Sequence, residues 1–111
     1  MNMINRINRE ELKTRLDRGD NITLVMTMNE WAYNTAHIPG SLDYNAMQRA
    51  LVNLKRDDEI VIYDTGNACP ASMRTYRLLQ QNGFRNIRQY AGGLMDWDAA
   101  GYPLEGSMMV H

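Results

Sequence analysis

Ile60-Val61-Ile62-Tyr63-Asp64-Thr65-Gly66-Asn67-Ala68-Cys69-Pro70 is the stretch on which the fold turns. Its first four residues are apolar and three of them are β-branched, the composition of a strand buried on both faces. A short loop containing Gly66 and Asn67 follows, and Pro70 suits the first turn of a helix, where a missing N–H costs nothing. That helix is predicted to run to about Asn82, with Gly83 stopping it and Phe84 packing behind it. In an open parallel sheet, ligands gather at the carboxyl ends of the strands, where loops meet helix starts. The loop Asp64, Thr65, Gly66, Asn67, Ala68 and Cys69 is therefore the candidate site, its backbone N–H groups forming a cradle for an anion.

The same alternation extends outward in both directions. Ile22 to Thr27 is a second, nearly continuous apolar strand, and Asn86 to Tyr90 is a third. Asn8 is placed to cap a helix with Glu11 as its capping-box partner, Leu12 and Leu16 share one face, and Gly19 ends it. A short helix is expected from Asn29 to Thr35, with Trp31 and Tyr33 as packing residues. Asn45 is expected to cap another helix that carries Met47, Leu51 and Leu54. Gly92-Gly93 reads as a tight turn before a last helix, Leu94 to Ala100. Strands separated by helices of this length imply βαβ units. The expectation is a compact α/β domain over residues 1–111, with a mainly parallel sheet flanked by helices on both faces and a tail fraying from about Gly106.

Composition narrows the function classes. Across 111 residues, 12 basic and 13 acidic side chains leave a formal charge of -1, so neither nucleic acid nor an anionic membrane is expected as a partner. The apolar runs are too short to span a bilayer, and the first residues lack the apolar stretch of a signal peptide. A single cysteine forms no internal disulfide, which fits a cytoplasmic location. His37 and His111 are the only histidines and Cys69 has no CxxC partner, so no metal or cofactor is expected. Nine methionines read as adaptable core filler before they read as a docking surface.

Three further segments carry a family resemblance. Ala36-His37-Ile38-Pro39-Gly40-Ser41 resembles the HIPGA signature of rhodanese-like (sulfurtransferase) domains, Ala91-Gly92-Gly93-Leu94-Met95-Asp96-Trp97 their GGxxxW signature, and Gly101-Tyr102-Pro103 the G-aromatic-P that follows. The likeness covers about Ile7 to Pro103, with Leu12, the Ile60–Tyr63 strand and Gly83-Phe84 in register between the signatures. It implies a compact α/β fold in which a cysteine directly after the central strand takes sulfur from a donor such as thiosulfate, holds it as a persulfide and passes it on. The loop N–H groups would stabilise the anion. It also implies that His37 holds the Ile38-Pro39-Gly40 turn, that Trp97 packs, and that Gly92-Gly93 lie near the loop.

This chain departs from that pattern where the chemistry sits. Asp64 stands at the cysteine position, Met26-Thr27-Met28 replaces the family's Asp-x-Arg, and the loop is about two residues longer. It resembles a variant C-x4-C-x-A-S loop, with Cys69, Ala71 and Ser72 matching and Asp64 at the first cysteine. A carboxylate forms no persulfide. The favoured reading is a domain without sulfurtransferase turnover that acts as a binding or regulatory module for a partner protein or a small anionic or sulfur-containing ligand. In that reading Asp64 fills the cradle itself; a plain turn residue, and less readily an acid/base role, are its alternatives. Cys69 reads first as a packing or N-capping residue. The alternative is a displaced nucleophile activated by the helix start, in a thiosulfate-type sulfurtransferase. A phosphatase is poorly served, because four residues rather than five separate Cys69 from Arg74.

Overall fold

A computed structural model describes residues 4–66 and 70–107, without the side chains of Pro70 and Ala71. Three parallel strands, β1 (Ile22–Met26), β2 (Glu59–Tyr63) and β3 (Ile87–Tyr90), lie side by side with β2 in the centre. Leu24 pairs with Val61, Met26 with Tyr63, and Tyr63 with Tyr90. Single parallel bridges lengthen the sheet at each edge, from Arg6 to Gln89 and from Leu42 to Val25. Among the described residues, five helices surround it: α1 (Arg9–Asp17), α2 (Glu30–Thr35), α3 (Tyr44–Ala50, continued by a 3-10 turn Leu51–Asn53), α4 (Pro70–Gln81) and α5 (Gly93–Ala99).

Successive strand residues point to opposite faces, and the two faces carry separate cores. Leu24, Met26, Val61, Tyr63 and Tyr90 pack with Leu12 of α1 and Trp97 of α5, and α2 adds Ala32 and Tyr33. Val25, Ile60, Ile62 and Ile87 pack with Met47 of α3 and with Tyr76 and Leu79 of α4. Residues 60–63 are all fully buried, which is why that strand is apolar without alternation. Each such side chain contributes about 1.5–3 kcal/mol of burial.

Several local expectations are refined. Asn8 does cap α1, accepting from the Glu11 N–H at 2.8 Å. The Glu11 carboxylate does not return the bond; it accepts from Arg88 of β3 at 2.7 Å instead. The cap of α3 is Asp43 rather than Asn45. On α2, Tyr33 packs as expected, but Trp31 is 77% exposed. Six residues make too short a helix to bury both, and the face carrying Ala32 and Tyr33 is the one turned to the core. Near the end of the chain, Glu105 and His37 exchange backbone hydrogen bonds of 2.8 and 2.9 Å. The tail expected to fray from Gly106 is described only as far as Ser107.

Candidate functional site at the carboxyl end of the central strand

β2 delivers Asp64 to the carboxyl edge of the sheet, and the residue is only 2% exposed. Its Oδ1 accepts the Gly66 N–H at 3.0 Å, the local turn that aspartate favours. Oδ2 is buried and has no hydrogen-bond partner among the described residues. The backbone carbonyls of the loop face the other way. Those of Asp64 and Thr65 accept from Leu94 N–H and Met95 N–H, each at 2.8 Å, supplying partners that the first turn of a helix lacks. α5 has no side-chain cap of its own, so the loop serves as one.

Gly93 makes that contact possible. Its φ is 68°, and a Cβ there would lie 2.4 Å from the Asp64 carbonyl oxygen. The glycine pair thus sits against the loop, as the sequence reading had it. On the rim, Met95 is 70% exposed, with its Sδ 3.4 Å from where a Cβ of Gly66 would be.

Two hydroxyls tie the neighbouring elements to this edge. Thr27 donates its N–H to the Tyr63 carbonyl at 2.8 Å, and its Oγ1 lies 3.2 Å from both that carbonyl and Ser72 Oγ. The end of β1, the end of β2 and the first turn of α4 are therefore stitched together around Asp64. Thr27 was only the middle of Met26-Thr27-Met28 in the sequence, and nothing in that tripeptide distinguishes a stitching hydroxyl from a spacer. Met26 is fully buried and Met28 packs against the same core, as filler residues should.

Tyr63 works on the opposite face. Its buried hydroxyl accepts the Ile38 N–H at 2.9 Å and shares a 2.8 Å hydrogen bond with Ser41, closing the 38–41 turn against the central strand. Burial pushes its pKa up to about 12, with the bonds to Ser41 and Ile38 pulling the other way. This corrects the role of His37. The imidazole is structural, but its Nδ1–H donates to the Tyr33 carbonyl at 2.7 Å and its ring stacks on Tyr33 at 3.9 Å, so it finishes α2 rather than holding the turn.

Below β3, Tyr90 donates to Asp96 Oδ2 at 2.6 Å, and Arg9 donates to Oδ1 at 3.0 Å. Burial first, and this bond to Asp96 second, raise the Tyr90 pKa. Trp97 is buried as expected and donates its indole N–H to the Pro103 carbonyl at 2.8 Å. Asn67, Ala68 and Cys69, which complete the expected cradle, lie outside the described residues. Among those described, Gly66 supplies the one N–H that reaches the Asp64 carboxylate, and no group of three His, Cys, Asp or Glu side chains is placed to hold a metal. No helix of the described part is long and apolar enough to cross a membrane.

Comparison with known proteins matches this architecture. A family model described as rhodanese-like domain matches residues 8–100. The rhodanese-like domain of the Alr3790 protein from Anabaena sp. is 28% identical over 96% of this chain and 82% of its own, with a TM-score of 0.80. The BH2092 protein from Bacillus halodurans shares the fold at 23% identity, over 94% of this chain and 78% of its own, with a TM-score of 0.83. A thiosulfate sulfurtransferase from Pseudomonas aeruginosa shares it at 18% identity and a TM-score of 0.78, over 93% of this chain but 20% of the larger enzyme. No curated protein matches the chain. With the family model covering the sheet, the loop and the helices that flank them, this chain belongs to the rhodanese-like domain family.

Proposed function

We propose that this rhodanese-like domain does not turn over sulfur and serves as a binding or regulatory module, with Asp64 in the place of the nucleophile. The observation that carries the reading is the buried Asp64 carboxylate at the end of the central strand, with the Gly66 N–H donating to it. Sulfur transfer from thiosulfate requires a thiolate to attack the outer sulfur, form an S–S bond and release sulfite. An aspartate oxygen at that position has no such product, and a bound carboxylate also occupies the donor that an incoming anion would use. The apolar packing of Met26 and Met28 supports the same reading, since it leaves no charged pair at the end of β1 to assist a reaction. The occupant of the module is then a partner protein or a small anionic or sulfur-containing ligand.

The test is cyanolysis of thiosulfate together with mass spectrometry of the donor-treated protein. The native chain is expected to match its Cys69→Ala variant at background, with no sulfur adduct. Asp64→Cys is expected to acquire a persulfide. Turnover in the native chain that disappears in Cys69→Ala would overturn the reading in favour of a sulfurtransferase that uses Cys69.

A further inference from the structure

A cleft of about 700 Å³ opens beside the site, between α4 and the starts of α2 and α3. It falls within the range of small-molecule pockets. On α4 it is lined by Arg74, Arg77, Leu78 and Gln81, the i, i+3, i+4, i+7 stripe of one helix face. Facing this stripe are Glu30 and Asp43, at the first turn of α2 and the cap of α3. One wall therefore carries two guanidinium groups and the other two carboxylates.

None of these four side chains forms an ion pair among the described residues. Opposite charges that line one cleft without meeting across it leave a gap to be bridged. Asp43 uses Oδ1 for the Ala46 N–H at 2.7 Å, which leaves its second oxygen for another donor. Met28 and Leu78 add apolar surface to the lining.

We propose that this cleft binds a small zwitterion of dipeptide size, its carboxylate against Arg74 and Arg77 and its ammonium against Glu30 and Asp43. A single-sign ligand satisfies one wall and leaves the other as it was. A dipeptide carries its two opposite charges at its two ends, so that one ligand can meet both walls of a cleft of about 700 Å³. Guanidinium pairs with carboxylate in a fixed two-point geometry, so the ligand is held in one orientation. The Thr27 hydroxyl, bonded to Ser72, joins this cleft to the end of β2, so an occupied cleft lies next to the Asp64 loop. The inference stands whether or not that loop transfers sulfur.

The test is a magnetic-resonance titration of the full isotope-labelled chain with Ala-Leu, N-acetyl-Ala-Leu and Ala-Leu-amide. Ala-Leu is expected to give saturable shifts around the cleft, and each blocked form, lacking one charge, to bind weaker by about tenfold or more. Arg77→Gln and Glu30→Gln, both exposed, are each expected to weaken Ala-Leu by about threefold or more, with resonances away from the cleft unmoved. No saturation by about 50 mM Ala-Leu, shifts centred elsewhere, or a blocked form binding within about tenfold of Ala-Leu would each overturn the proposal.

Discussion

A methyl group added at Gly93 would meet the Asp64 carbonyl oxygen at 2.4 Å and the Gly66 nitrogen at 2.8 Å, on a backbone whose φ of 68° already disfavours any side chain. Both obstacles are main chain, so neither moves aside as a flexible side chain would. Gly93→Ala is therefore expected to destabilise the domain by about 2–4 kcal/mol in urea unfolding. A loss below about 1 kcal/mol would show that the loop yields and that its contact with α5 is soft. The resemblance to the GGxxxW signature made this position readable, because it implied that Gly92-Gly93 lie near the loop; from the residues alone the pair reads only as a tight turn. The apolar run of residues 60–63 made Asp64 readable, since a polar residue directly after four apolar ones sits at the strand end. Thr27 was not readable. Its function depends on Tyr63 and Ser72, which lie 36 and 45 residues away along the chain, and no local pattern reports such a partner.

The start of α3 shows the same limit for a whole element. Asp43 and Asn45 are both good caps, and sequence spacing does not choose between them. The sheet chooses. Leu42 donates its N–H to the Leu24 carbonyl and accepts from the Met26 N–H, both at 2.8 Å, which holds the chain extended through residue 42. The helix must then begin immediately afterwards, and Asp43 is the residue at the junction. Asp43→Ala is expected to cost about 1 kcal/mol, whereas Asn45→Ala, inside the first turn, is expected to stay within about 0.5 kcal/mol of the native chain. Equal losses in thermal unfolding would mean that the cap bond to Ala46 contributes little. Elsewhere the elements were legible because their periods are unambiguous. Residues 60–63 of β2 are buried on both faces, and α4 begins at a proline and is followed by a glycine with φ of 91° at residue 83. Trp31 misled because α2 is too short for its period to declare which side is buried.

At the amino ends of the strands, opposite to the candidate site, several ion pairs share partners. Arg15 bonds both Glu59 and Asp20, Arg18 bonds Asp20 as well, and Arg88 reaches Glu11 and Glu59. Arg18 first, then Arg15, hold the Asp20 carboxyl well below its ordinary value of 3.8. A carboxyl lowered on folding contributes stability that is complete above its unfolded pKa and is lost as pH falls below it. Tyr63 acts at the other extreme. Its pKa rises from 10.0 to about 12 on burial, so its contribution is complete below pH 10 and is lost as pH climbs toward 12. Tyr33 and Tyr90 are raised as well, also by burial first, and add to the same alkaline limb. Stability is thus expected to be flat through neutrality, to fall below about pH 4 and to fall again above about pH 10. Chemical unfolding followed across this range gives the curve. Asp20→Asn is expected to flatten the acid limb alone, and Tyr63→Phe to reduce the alkaline slope without abolishing it, because two raised tyrosines remain. An alkaline limb left unchanged in Tyr63→Phe would mean that the hydroxyl holding the 38–41 turn does not feel its burial, and the link between that turn and the central strand would have to be sought in packing alone.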